Sequence, residues 1–143
     1  MKQLILILGF FLSLLTSNVL MAQPVQGPKG SLKVADLEEV TAAIQSEDTE
    51  KLVKFFAENV ELHLLEKQGN YAKGQAKFIM KEFFGRNAAG QFTISQTGII
   101  HSNYYFATGE YISDKGTYQV NIYFKLIGKS IQIDQIKFER RRG

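Results

Sequence analysis

Few side chains in this 143-residue chain are equipped for chemistry, and they are scattered. There is no cysteine, hence no thiol nucleophile, no thiolate metal site and no disulfide frame. The two histidines are His63 and His101. In "NVELHLLEK", Val60, Leu62 and Leu64 share one face of a period-two pattern, and Glu61 and His63 share the other. A general base must face its substrate, so His63 is expected at the surface or an interface instead. His101 precedes Ser102 and Asn103, a turn-like setting. Two distant histidines without clustered carboxylates make a poor metal site, and no metal or other cofactor is expected.

Asp134 is the acid of most interest, because it interrupts an alternating apolar run. Turned inward, its carboxyl would be desolvated and its pKa raised, making it a candidate base with Tyr104 or Tyr118 as the hydrogen-bond donor. Turned outward it meets water, and this second reading is preferred. The six tyrosines, Tyr71, Tyr104, Tyr105, Tyr111, Tyr118 and Tyr123, form the richest group. On a concave face they would line a pocket for an apolar or ring-shaped ligand, with hydroxyls to orient it. The expected lining is Phe56, Tyr71, Phe83, Tyr104, Phe106 and Tyr118, completed by Ile122, Phe124, Ile133 and Ile136. Tyr118 is the best placed, since it shares a face with Val120, Ile122 and Phe124. Tyr123 falls on the opposite face with Gln119, Asn121 and Lys125, an amphipathic surface suited to a sheet-to-sheet dimer. In "EFFGR", 82–86, the phenylalanines are expected in the core, with Arg86 near the rim.

Other chemistries lack their parts. No glycine-rich loop ends in Lys-Ser or Lys-Thr, and no "GxSxG" elbow occurs. The net charge of +3 is held outside the body of the chain: Lys2 near the start and Arg140, Arg141 and Arg142 at the end account for the basic excess. A terminal basic run is not a basic face, so nucleic acid is not an expected partner.

These side chains must be delivered and positioned. Residues 1–22, "MKQLILILGFFLSLLTSNVLMA", combine one early Lys, an apolar run and a terminal Ala, the pattern of a secretory signal peptide cut after Ala22. Ser13, Thr16, Ser17 and Asn18 break the run below the roughly 20 apolar residues of a spanning helix, so stable membrane insertion is not expected. The expected location is periplasmic or extracellular. Residues 23–33, with both prolines, read as a flexible lead; 34–140 as one domain; 141–143 as a basic tail.

Helical spacing of Leu37, Val40, Thr41 and Ile44 predicts a first helix. Ser46 or Asp48 caps a second, with Leu52, Phe55 and Phe56 as its apolar stripe. A strand over 59–67 follows, "QGN" makes a turn, and Ala76, Ile79, Met80 and Phe83 predict a third helix ending at Gly85. After Gly90 the chain reads as four strands, with hairpin turns at "SDKG", 113–116, and at Gly128–Lys129. With Gly128–Lys129 as the loop, Leu126 faces Ile131 and Phe124 faces Ile133. An unbroken register would then set Ile122 against Gln135. One extra residue at Asp134–Gln135 pairs Ile122 with Ile136 and Val120 with Phe138 instead, the count of a β-bulge. The fold class is α+β: three N-terminal helices packed on a strongly curved antiparallel sheet.

That element order, with "AIQSEDTEKLVKFFAENVEL", "YAKGQAKFIMKEFFGRN" and the final "IQIDQIKFE", resembles the nuclear transport factor 2-like superfamily and its cystatin-like cone. Within it the chain looks most like a family of small exported bacterial proteins of unknown function. The resemblance implies the cone over about residues 34–139. Relatives include isomerases, dehydratases and non-enzymatic binding or dimerisation modules, and no catalytic motif of theirs is present here. The expectation is therefore a non-catalytic binding or interaction module. It would hold a small hydrophobic ligand in the cone or form a homodimer through the outer sheet face. The alternatives are an isomerase- or dehydratase-type enzyme with an Asp/Tyr pocket, and a filled core that acts only through its surface.

Overall fold

The helical period of Val40 and Ile44 becomes helix α1 (Val34–Gln45), whose buried side is Val40, Ala43 and Ile44. The computed structural model describes residues 32–141. The expected signal peptide, most of the lead and the tail beyond Arg141 lie outside the described residues. Among the described residues no helix is long and apolar enough to cross a membrane.

Asp48 caps helix α2 (Thr49–Leu52) by accepting a 3.0 Å bond from the Lys51 amide. This helix is one turn long and tightens into a 3-10 turn at Val53–Phe55. Phe56, expected on the helix, instead opens strand β1 (Phe56–Leu64). The reversal after β1 falls at Leu65–Glu66, with Leu65 in the left-handed region at φ +59°. "QGN" is therefore not the turn but the interior of strand β2 (Lys67–Ala72). Gly69 is small there because the Tyr71 ring lies across it: a Cβ would sit 2.7 Å from Tyr71 Cζ. Helix α3 (Lys73–Arg86) buries Ala76, Ile79, Met80, Phe83 and Phe84 and runs past Gly85 to Asn87 as its C-cap.

Four long strands complete the fold: β3 (Ala89–His101), β4 (Tyr104–Ser113), β5 (Gly116–Ile127) and β6 (Ser130–Arg140). They make one six-stranded sheet in the order β2-β1-β6-β5-β4-β3. Every pairing is antiparallel except β1 with β6, which run parallel with β2, α3 and β3–β5 between them in the chain. Gly128 has φ +63° and Lys129 does not have positive φ, as a type II′ hairpin requires. The register past this loop pairs Phe124 with Ile133, then Tyr123 with Gln135, so Asp134 is the extra residue of a β-bulge. Ile122 faces Ile136 and Val120 faces Phe138, and all four are fully buried. The bulge bends the sheet around the helices while keeping every apolar residue of β6 on one side.

The end of α1 also closes part of a sheet edge. Gln45 Oε1 accepts from the Phe92 amide, and Glu47 Oε1 accepts from the Ala89 amide at 2.5 Å. Both amides belong to β3, the edge strand, whose outward donors would otherwise be open to pairing.

Candidate functional site

Side-chain alternation along β4 and β5 divides the tyrosines between two faces that cannot see each other. Tyr105, Ala107, Gly109 and Tyr111 point inward from β4, and Tyr118, Val120, Ile122 and Phe124 from β5. Gly109 is small on this side because β3 leaves no room for a Cβ, which would sit 2.5 Å from the Thr93 carbonyl oxygen and 3.1 Å from the Phe92 ring.

The inner face is occupied by the chain's own side chains. Of the expected lining, Phe56, Phe83, Tyr118, Ile122, Phe124, Ile133 and Ile136 are all buried in one apolar cluster with Phe138, and Tyr71 packs on its margin. Phe83 and Phe138 have ring centroids 4.7 Å apart, and Tyr111 meets Phe138 edge-on at 5.3 Å. Two of the three inward tyrosines have their hydroxyls committed to one residue. Tyr118 donates to Asn87 Oδ1 at 2.8 Å, and Tyr111 donates to the Asn87 carbonyl at 2.5 Å. Asn87 Nδ2 donates in turn to the Phe83 carbonyl at 3.0 Å. These bonds tie the end of α3 to β4 and β5. Burial raises the Tyr111 pKa above its ordinary value, and the charges of Glu47 and Asp114 add to this.

Tyr104 and Phe106, expected on the concave side, stand on the outer face, opposite Lys125 and Tyr123 in the register. Asp134 is there too, part-exposed, so it is not an inward base and lies across the sheet from Tyr118. The structure does bring Asp134 to Tyr104. The phenol donates to Asp134 Oδ2 at 3.1 Å, and Lys125 Nζ lies 3.6 Å from Oδ1. Tyr104 also stacks between His101, at 5.2 Å, and Tyr123, at 6.2 Å. Its pKa is pushed up to about 12, first by burial, then by the bond to Asp134 and that carboxylate's charge. A phenol so held keeps its proton near neutral pH, which suits a fixed hydrogen bond better than proton transfer.

Apart from Phe106 and the exposed Ile112, much of the remaining outer face is polar and paired within itself. His63 Nε2 lies 2.5 Å from Glu61 Oε1, and Lys137 Nζ 2.9 Å from Glu139 Oε1, which raises the Lys137 pKa. His63 is thus on the side away from the core, as its alternation implies. Thr108 donates to Asn121 at 2.8 Å, and Arg141 pairs with Glu110 beside a groove of about 490 Å³ lined by Gln91, Thr93, Ser95 and Gln119. Among the described residues no group of three or more His, Asp or Glu side chains is arranged to hold a metal ion. Sequence reasoning did not find Asn87, although Asn just past a helical run is itself a C-terminal signal.

Residues 37–139 match the sequence profile of a family described as a domain of unknown function, DUF4783. The chain belongs to the DUF4783 family. Solved DUF4783 structures share its fold. One from Bacteroides uniformis superposes with a TM-score of 0.69 at 24% identity, covering 74% of this chain and 97% of that one. One from Bacteroides ovatus gives 0.68 at 24% identity, over 73% and 94%. A Streptomyces avermitilis protein from the nuclear transport factor 2-like family gives 0.59 at 9% identity, over 76% and 94%, a likeness of fold alone. No curated protein matches the chain. The DUF4783 chain is thus an α+β cone of the nuclear transport factor 2-like kind, as its element order implied.

Proposed function

We propose that the protein is an exported, non-catalytic interaction module that works through its surface and pairs with a second copy across the outer face of its sheet. The observation that carries this reading is the division of the tyrosines. Two of the inward tyrosines, Tyr111 and Tyr118, have their hydroxyls fixed on Asn87, while His101, Tyr104 and Tyr123 line up on the outer face. The charges of that face are paired internally, Lys125 with Asp134, His63 with Glu61 and Lys137 with Glu139. A second copy meets little net charge there, and a two-fold interface needs such self-compatibility. Tyrosine-rich centres with polar rims are the usual composition of protein interfaces. Export rests on residues 1–22.

Sedimentation equilibrium of the wild type and of Tyr123→Lys tests the pairing. The wild type is expected at twice the monomer mass and the variant at the monomer mass, because four lysines would meet across the axis near Tyr123 and Lys125. A wild type that stays monomeric, or a variant that stays dimeric, would count against the outer face.

A further inference from the structure

A second feature lies between helix α3 and the β1–β2 reversal. Ile79, Glu82, Phe83 and Arg86 recur at i, i+3, i+4 and i+7 on α3, so they form one stripe. Opposite them stand the β1–β2 reversal, Leu64 to Lys67, and Arg140 near the end of β6. Between these elements is a cleft of about 280 Å³, with Asn87 also in its wall. Its apolar part is made by Leu64, Leu65, Ile79 and Phe83.

The charges of this cleft are unequal. Arg86 is neutralised by Glu82 at 2.7 Å. Arg140 lies over the Tyr118 ring, 5.7 Å from its centroid, and has no carboxylate partner among the described residues. Lys67 and Glu66 offset each other, so the lining carries one net positive charge. Asn87 is 8% exposed, and its Nδ2 gives one of two hydrogens to the Phe83 carbonyl, leaving the second. Leu65 shapes the opposite wall. It holds a left-handed backbone at φ +59° without being Gly or Asn, and its amide is bonded to the Phe138 carbonyl at 3.0 Å. The two-residue hairpin loop imposes that conformation, and the bond to Phe138 fixes this wall of the cleft.

From the unpaired guanidinium at the edge of an apolar cleft we infer that this cleft binds an amphipathic monocarboxylate. The carboxylate meets Arg140 and the spare Asn87 hydrogen, and the hydrocarbon part lies on Ile79, Phe83 and Leu65. A guanidinium resting over an aromatic ring at the cleft edge offers its forked donors to a carboxylate. The cone interior is not needed, since the ligand rests on the outer margin of the core.

Octanoate and octan-1-ol are matched probes for calorimetric titration of the full protein, with amide NMR shifts to place the site. Octanoate is expected to bind saturably, one per chain, and octanol about tenfold more weakly. Arg140→Gln should weaken octanoate about tenfold without altering octanol, and Arg140→Lys should restore only part of that loss, since an ammonium keeps the charge but not the fork. Shifts should gather at residues 64–67, 79–87 and 140. No saturable heat with octanoate, equal affinity for octanol, or shifts gathered on another face would overturn the inference. If Arg140→Gln melts early, the octanoate-to-octanol ratio of the wild type decides alone. Self-association is measured separately, so either proposal can fail while the other stands.

Discussion

Asn87 shows how much can rest on one side chain. Its amide and carbonyl join the end of α3 to Tyr118 and Tyr111 in a buried setting where an unmade hydrogen bond is costly. Asn87→Ala strips the acceptor from the Tyr118 hydroxyl and the donor from the Phe83 carbonyl, and should cost about 1–3 kcal/mol in urea unfolding. Tyr118→Phe removes one donor and should cost about 1 kcal/mol. A smaller loss for Asn87→Ala than for Tyr118→Phe would contradict this order. At Tyr104 the folded pKa of about 12 lies above the ordinary 10, so the folded state keeps a proton that the unfolded state releases between those values. Stability from this group is intact below pH 10 and falls as pH rises from 10 to 12. Difference absorbance titration against Tyr104→Phe should place its phenolate transition near 12. Asp134→Asn should lower that value only part of the way, because burial is the larger cause. The inward placing of Tyr118 was legible from its apolar neighbours on β5. The outward placing of Tyr104 and Phe106 was not, because either phase of "NYYFATGEYIS" sets aromatics on both sides, and the close approach of Thr93 and Phe92 to Gly109 comes from another strand.

At the scale of elements, the bulge in β6 was legible because a period of two cannot hide a one-residue slip. β2 was hidden because Gln-Gly-Asn normally marks a turn, and only the Tyr71 ring over Gly69 explains that glycine within a strand. The cover that Gln45 and Glu47 give to β3 was equally unreadable, joining residues more than 40 positions apart. If Asp134 serves curvature, its deletion leaves Ile133, Ile136 and Phe138 facing the core in unchanged pairs. Deleting Lys137 instead turns Phe138 outward. Deletion of Asp134 should therefore give a folded but destabilised protein, and deletion of Lys137 an unfolded one, by circular dichroism and urea melts. Equal damage from the two deletions would mean that the extra residue has no separate role.

For the whole molecule, the α+β class and the curved sheet followed from the order of periodicities, whereas what fills the cone did not. Alternation says which side chains point inward; it does not say whether they meet. Here they meet: Tyr118, Ile122, Phe124, Ile133, Ile136 and Phe138 are 0% exposed. An expected ligand pocket and a packed core look alike in sequence, since both call for inward aromatic and branched residues. Two of the inward tyrosines, Tyr111 and Tyr118, have their hydroxyls fixed on Asn87, and this supports the proposal that places the protein's contacts on the outer face of the sheet. Because the chain has no cysteine, a single nitroxide can be placed at will. The most direct measurement is dipolar spectroscopy of the protein labelled at Lys125→Cys on the outer face, compared with Lys54→Cys on the helical side. A strong, short-range coupling between copies at position 125 and a weak or absent one at position 54 is the predicted result. Coupling at position 54 with none at position 125 would contradict the account.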